Sequence, residues 1–413
     1  MRQLRLRWKS ILLFLSIAGP GIITSNVDND AGGIATYSMA GAHFGYSLLW
    51  SLVPIMLALM IVQEMSARMG VVTGKGLSDL IRERFGVKIT VYLLFAVVLT
   101  NIGNIIAEFA GVASSLEIFR VSKYLSVPLA AAAVWLLVIK GTYRSIEKVF
   151  LSACLFYLTY ILAGFLAKPD WAAIGRSFVR PHFDFSSVGM GMIIGLIGTT
   201  IAPWMQFYLQ ASIVEKNIAL KNYRFARWDV IIGSVIVTLI AAFIVLTCAA
   251  TLFPAGIRVE TAADAAQALR PLAGKYTAFL FAFGLLNASL FAASILPLST
   301  AFVVCEAMGW ENGVDKKFSQ APQFYGLYSM LIVLGAAIVL IPGIPLFPVM
   351  YISQVVNGAA LPLILVFMLI LTNDKKLMGE YVNKKGYNIV AWSTIVILVA
   401  LTTVYLGLLL GIL

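Results

Sequence analysis

The sequence predicts an all-α polytopic membrane protein. Two five-helix repeats of opposite orientation are followed by an eleventh helix, and the first and sixth helices are broken. Three observations carry this expectation. The 413 residues are 61% hydrophobic and only 12% charged, whereas soluble domains average about 45–50% apolar and about 25% charged. Eleven apolar segments follow one another, most of them near the ~20 residues that cross a bilayer core. Two of the segments, five apart, are interrupted by polar, glycine or proline residues.

Taken in order, the segments lie near 11–43, 46–70, 88–116, 126–140, 146–167, 187–212, 229–253, 275–305, 323–342, 346–372 and 388–411. The opening "MRQLRLRWKSILLFLSIAG" has the basic start and short apolar run of a signal peptide. No A-x-A-like cleavage site follows it, so it is kept in the mature fold. Segment one then breaks at Asp28–Gly33, after "GPG" (Gly19–Gly21). Segment six breaks inside "GLIGTTIAPWMQF" (Gly195–Phe207), with Pro203 near its middle. An odd number of helices per half inverts the second half. Inverted repeats with one unwound helix each, meeting at mid-membrane, form the architecture of many secondary transporters. Residues 1–168 are read as the first repeat, 169–373 as the second and 374–413 as the additional helix.

Orientation follows from charge. With the N-terminus inside, 22 of the 30 Lys and Arg residues fall in cytoplasmic segments, which places the N-terminus in the cytoplasm of a cell membrane and the C-terminus outside. The net charge of +11 is therefore read as loop charge and not as a nucleic-acid surface. Cys154, Cys248 and Cys305 lie in apolar runs and suggest no disulfide framework. Only two histidines, His43 and His182, are present, and no H-E-x-x-H or G-x-S-x-G pattern supports an enzyme. The lipid bilayer and a transported ion are the only partners the chain calls for. The oligomeric state stays open, and a monomer is compatible.

The stretch "SNVDNDAGG" (25–33) puts Asp28 and Asp30 where lipid rejects charge, at about 2.5–3.5 kcal/mol for a mid-membrane carboxylate, so an ion site is the default reading. Carboxylates and unwound carbonyls are hard oxygen ligands suited to Mg²⁺, Ca²⁺ or Mn²⁺. In segment ten, Gln354 and Asn357 stand three apart and share a helix face. They fit a metal site or a plain interhelical hydrogen-bonded pair. Glu108 is the other acid deep in an apolar run, read as a second-shell charge, a proton relay or a neutral packing group. Glu64, beside Arg68, reads as an interfacial pair.

The stretches "GPGIITSNVDNDAGGIATYSMAGAHFGYSLLW", "AEFAG", "GTTIAPW" and "SQVVNGAALP…LTNDKKLMG", in this order over most of the chain, resemble the Nramp family of divalent metal-ion transporters. The resemblance implies the LeuT-type fold of inverted five-helix repeats plus an eleventh helix, with metal bound between helices one and six. The family's D-P-G-N falls on Asp30, Ala31, Gly32 and Gly33, which makes Asp30 the implied metal ligand and puts Gly33 at the family's asparagine. Its A-x-x-M-P-H falls on Thr199–Trp204. There the Thr199 carbonyl can serve, while Ala202 stands at the thioether and Trp204 at the histidine. Gln354 matches the helix-ten glutamine and Glu108 the helix-three glutamate. The proton-path aspartate is Ile105, and segment nine has no basic residue.

Without the thioether the implied site is all oxygen, which disfavours softer metals. Gly33 and Ala202 are expected to enlarge the cavity, and Mg²⁺, which dehydrates reluctantly, needs room for its waters. Met205, one residue past Trp204, sits on a different part of its helix from Ala202. The expectation is a transporter of the Nramp-related magnesium branch that imports Mg²⁺ and Mn²⁺ as substrates, needs no cofactor and lacks proton coupling. The alternative is a proton-coupled Mn²⁺/Fe²⁺ importer of the ordinary Nramp kind.

Overall fold

A computed structural model describes residues 19–140 and 158–411. The N-terminal basic residues, the start of segment one, Cys154 and most of segment five lie outside the described residues. The described chain is helical throughout. Segment one is split into α1 (Pro20–Val27) and α2 (Ala31–Phe44), followed by α3 (Leu52–Thr73), α4 (Leu77–Glu117) and α5 (Lys123–Lys140). Next come α6 (Leu158–Leu166), a short amphipathic α7 (Trp171–Val179), and the split sixth segment, α8 (Ser187–Thr200) and α9 (Pro203–Glu215). The remaining long helices are α10 (Tyr223–Thr251), α11 (Thr277–Met308), α12 (Pro322–Leu340), α13 (Leu346–Thr372) and α14 (Lys385–Leu409). Among the described residues nine helices or helix pairs are long and apolar enough to cross a membrane. The two halves of segment one (8 and 14 residues) fall short singly and only together reach spanning length.

Burial sorts the helices into layers. The α8–α9 pair is almost wholly enclosed, 94% of its most apolar stretch, while that of α14 is only 17% buried. Outward-facing Ile389, Trp392, Val396 and Ile397 on α14 are exposed apolar side chains that suit lipid contact, which makes this eleventh helix peripheral. The broken helices are held inside by α4, which packs against α11 and α13, and by α10, which packs against both α1 and α2. Close backbone approach fixes α8 on α13. A Cβ at Gly198 would run into the Gln354 carbonyl and the Gly358 amide, and one at Gly358 would run into the Ile194 carbonyl. Such small-residue contacts drive helix association where lipid supplies no hydrophobic force.

Two elements depart from the hydropathy reading. The third segment, expected from 88, begins at Leu77, because its first turns are amphipathic: Leu77, Leu80 and Ile81 are buried while Glu83 and Arg84 face outward. They join the membrane-spanning part at Gly86, whose φ of 80° favours glycine. Arg68 is also buried, at 5% exposure, near the end of α3 inside segment two. There it pairs with Glu64 at 3.3 Å and donates to the Tyr381 carbonyl and to Asn383. Tyr223 donates to Glu64 as well. The Glu64–Arg68 pair therefore forms a closed polar knot tying α3 to the chain between α13 and α14.

Candidate metal-ion site

Both helix breaks expose backbone for identifiable reasons. In the first, Asp30 caps α2: its Oδ1 accepts the Gly33 N–H at 2.6 Å, and the Gly32 N–H also bonds to its carboxylate. In a continuous helix those two donors would bond the carbonyls of Asp28 and Asn29. The Asp30 side chain takes their place and leaves those carbonyls without a helical partner. In the second break the helical partner of the Thr199 carbonyl would be the amide of residue 203. That residue is Pro203, which has no N–H. The half-helices α1 and α8 thus both end at the breaks, and their C-terminal carbonyls carry the negative end of the helix dipole, which favours a cation.

Side chains complete the arrangement. Asp28 is 1% and Asp30 4% exposed, and neither Asp28 carboxylate oxygen has a hydrogen-bond partner. The Asn29 amide and the Thr199 hydroxyl, both buried, are unpartnered as well. Glu108 of α4 accepts the Ala31 N–H through Oε2 at 3.2 Å, meets the Asp30 carboxyl within hydrogen-bonding reach, and leaves Oε1 free. Buried polar atoms are nearly always satisfied in native proteins. Several orphans gather at the two breaks, on Asp28, Asn29, Glu108 and Thr199, and these are predominantly oxygens, the donor set of a hard cation. No three Asp, Glu, His or Cys side chains among the described residues converge as a ready metal cluster. The carboxylates would therefore act together with carbonyls, hydroxyls and water.

The sequence-derived residues distribute as follows. Asp28, Asp30, Gly33 and Thr199 come together: a Cβ on Gly33 would strike the Asp28 carbonyl and stand 3.2 Å from Thr199 Oγ1. The expected extra room at Gly33 is absent from this arrangement, because the Asp28 carbonyl fills it. Glycine here admits a closely approaching oxygen. Gln354 packs on Gly32, where a Cβ would collide with its amide nitrogen, so it reaches the same turn from α13. Asn357 stands one step behind: it exchanges hydrogen bonds with Asn104 of α4 (2.8 and 3.1 Å) and donates to Gln354 Oε1 at 2.9 Å. With its amide spent on both neighbours, it orients Gln354.

Ala202 is buried in the second break with its carbonyl taken by Gln206 Nε2 at 3.0 Å. Trp204 is 1% exposed and packs near Tyr208, with ring centroids 6.1 Å apart. Ile105 is fully buried, its methyl lodged against Gly335 of α12. Neither position offers a titratable side chain.

Two contributors escaped the sequence reading. Asn104 shares the Asn101–Asn104–Glu108 stripe of α4, whose i, i+3, i+7 spacing was there to be seen. Asp229 of α10 accepts the N–H groups of Gly19 (3.1 Å), Gly21 (2.6 Å) and Ile22 (3.4 Å), pinning the start of α1. At the C-terminal end of α2 a cavity of about 1130 Å³ is lined by Met39, His43, Glu117, Glu260 and Tyr351, among others. Tyr351 also packs on Gly195 of α8, 3.1 Å from a Cβ built there, and so stands between this vestibule and the breaks.

Comparison with known proteins bears on the family and the fold. The sequence profile of the family described as Nramp, natural resistance-associated macrophage protein-like, matches residues 21–408. The chain is 29% identical to the "Divalent metal cation transporter MntH" of Deinococcus radiodurans, covering 98% of this chain and 92% of the relative. It is 28% identical to the protein of the same name from Bacillus subtilis, over 95% and 92%. Among solved structures, the Eremococcus coleocola manganese transporter in complex with an aromatic bis-isothiourea substituted compound superposes with a TM-score of 0.79 at 22% identity, covering 95% of this chain and 86% of that one. Mhp1, a nucleobase-cation-symport-1 family transporter in a closed conformation, superposes at 0.60 with 13% identity, over 95% and 91%. These likenesses establish the LeuT-type fold.

Proposed function

The chain belongs to the Nramp family of divalent metal cation transporters, and from that premise we propose that it carries Mg²⁺ and Mn²⁺ across the cell membrane without coupling to protons. The observation that supports this reading most is the chemistry of the two breaks. Asp28, Asp30 and Thr199 present oxygen, Gln354 brings an amide whose nitrogen faces Gly32, and Ala202 contributes no sulfur. A hard, oxygen-only set suits Mg²⁺ and Mn²⁺ and gives thiophilic ions no advantage. Asp30 supplies the principal charge, the freed carbonyls of Asp28 and Thr199 supply further ligands, and Gln354 closes the shell from α13 once its amide turns to bring Oε1, held here by Asn357, toward the break. Remaining coordination positions are met by retained water, admitted where α2 and α8 part during alternating access.

The absence of proton coupling follows from Ile105, Trp204 and the base-free α12, which leave no side chain to relay protons along the route that the family resemblance implies. A second reading, proton-coupled Mn²⁺ import, is favoured by one observation: Glu108 touches Asp30 and keeps one free oxygen. Proteoliposomes with a pH-sensitive dye in the lumen separate the two. Under an inward Mn²⁺ or Mg²⁺ gradient, metal influx is expected with no acidification beyond protein-free vesicles. Acidification in step with metal influx would establish the second reading, and Glu108→Gln would then be expected to abolish it.

A further inference from the structure

Opposite the Tyr351 vestibule, at the end that the Lys and Arg distribution places in the cytoplasm, lies a cavity that the transport site does not use. It has a volume of about 360 Å³, and its walls include Asp79, Glu215, Glu306 and Asp315, with Lys75 and Lys316. It sits where the N-terminus of α4, the end of α11, the end of α9 and the 309–321 loop meet. Glu306 is 6% exposed. Its carboxyl lies directly on Gly76, another residue of the cavity wall, where any Cβ would displace it. It accepts the Ser78 N–H, yet its Oε2 has no hydrogen-bond partner.

Among the described residues no basic side chain forms an ion pair with the Glu306 carboxyl, whose neighbouring charges are the acids Asp79 and Glu215. Asp79 accepts the Gly76 N–H, and Glu215 accepts those of Val314 (2.7 Å) and Asp315. Lys75 is held by Glu83 at 2.6 Å, Lys316 by Glu311, and Arg82 of α4 donates to the Ala307 carbonyl at 3.0 Å. Asp79, Glu215 and Glu306 therefore face a space whose two ammonium groups, Lys75 and Lys316, each pair with a carboxylate outside it, Glu83 and Glu311. A line of acceptors leads toward it. Gln206 and Gln210, one turn apart on α9, spend their amide N–H groups on the carbonyls of Ala202 and Lys75, and each leaves a buried oxygen unpartnered.

We propose that this cavity is a second cation site, which takes a hydrated divalent ion from the cytoplasmic side. No three of its carboxylates converge at direct-ligand distance, so the ion is held largely through its own waters, the mode to which Mg²⁺ is suited by its reluctant dehydration. An ion there joins the end of the half-helix α9, through Glu215, to α4 and α11, through Asp79 and Glu306. It thereby stabilises the inner end in the closed arrangement, and the ion on the cytoplasmic side slows its own transport.

The test uses the full-length protein with Mn²⁺ as a paramagnetic probe, in an Asp30→Ala background that removes the transport site. About one Mn²⁺ per chain is expected to remain bound. Hexaamminecobalt(III), an inert mimic of a hexahydrated cation, is expected to displace it, and Glu306→Gln to weaken it at least tenfold. Because Glu306 also caps α4, Asp79→Asn serves as the second variant, scored only on protein that elutes as the parent does, and the same weakening is expected. Absence of bound Mn²⁺ in Asp30→Ala would overturn the site. Unchanged affinity in both cavity variants would overturn the assignment to this cavity, and resistance to hexaamminecobalt(III) would overturn the hydrated mode.

Discussion

Asp30→Ala is expected to abolish divalent-cation uptake. Loss of an outer-shell partner typically costs about 10–100-fold in metal affinity, and removal of the principal charged ligand should exceed that. The substitution also deletes the cap of α2, which costs about 1 kcal/mol of stability, so lost transport alone would be ambiguous. Asparagine is an equally good helix cap without the charge. Asp30→Asn is therefore expected to keep the elution profile and thermal transition of the parent while losing uptake as fully as Asp30→Ala. Transport retained in Asp30→Asn would shift the ligand role to Asp28, whose two buried oxygens stand unpartnered.

Ala202→Met is expected to carry the second largest effect, on selectivity. Ala202 has an extended backbone (φ −69°, ψ 143°) that any side chain can adopt, and it stands at the second break where the resemblance implies a thioether. A sulfur there favours the softer ions. The ratio of Mn²⁺ to Mg²⁺ transport is expected to rise about tenfold, equivalent to ~1.4 kcal/mol of differential binding, and Cd²⁺ uptake to appear. The site is tightly enclosed, at 2% exposure, and overpacking costs about 1–3 kcal/mol. The diagnostic quantity is therefore the ratio between ions, which a general loss of folded protein leaves untouched. An unchanged ratio would mean that residue 202 does not face the ion.

What could be read from the chain beforehand was local. Pro203 announces a free Thr199 carbonyl because proline lacks an N–H wherever it sits, and Asp28 and Asp30 announce a break because lipid rejects charge. What could not be read was long-range. The hydrogen bond from the Ala31 N–H to Glu108 joins residues 77 apart and the Asn104–Asn357 pair joins residues 253 apart. Asp229 lay at the edge of an apolar segment and passed for its boundary, though it clamps α1 from more than 200 residues away. Gly33 shows why side-chain volume alone misleads. Removal of a side chain reads as space, but the freed backbone of Asp28 moved in, and only the folded arrangement shows an oxygen where a cavity was expected.

The central claim is that an oxygen-only pair of helix breaks carries Mg²⁺ as well as Mn²⁺. It is tested most directly by influx into proteoliposomes bearing the unmodified chain, with Mg²⁺, Mn²⁺, Ca²⁺ and Cd²⁺ each supplied in turn. Mg²⁺ at millimolar concentration and Mn²⁺ are expected to enter, each suppressing influx of the other. Ca²⁺, which wants six to eight longer bonds, and Cd²⁺, which gains little without sulfur, are expected to enter poorly. Entry of Mn²⁺ with millimolar Mg²⁺ excluded would contradict the account.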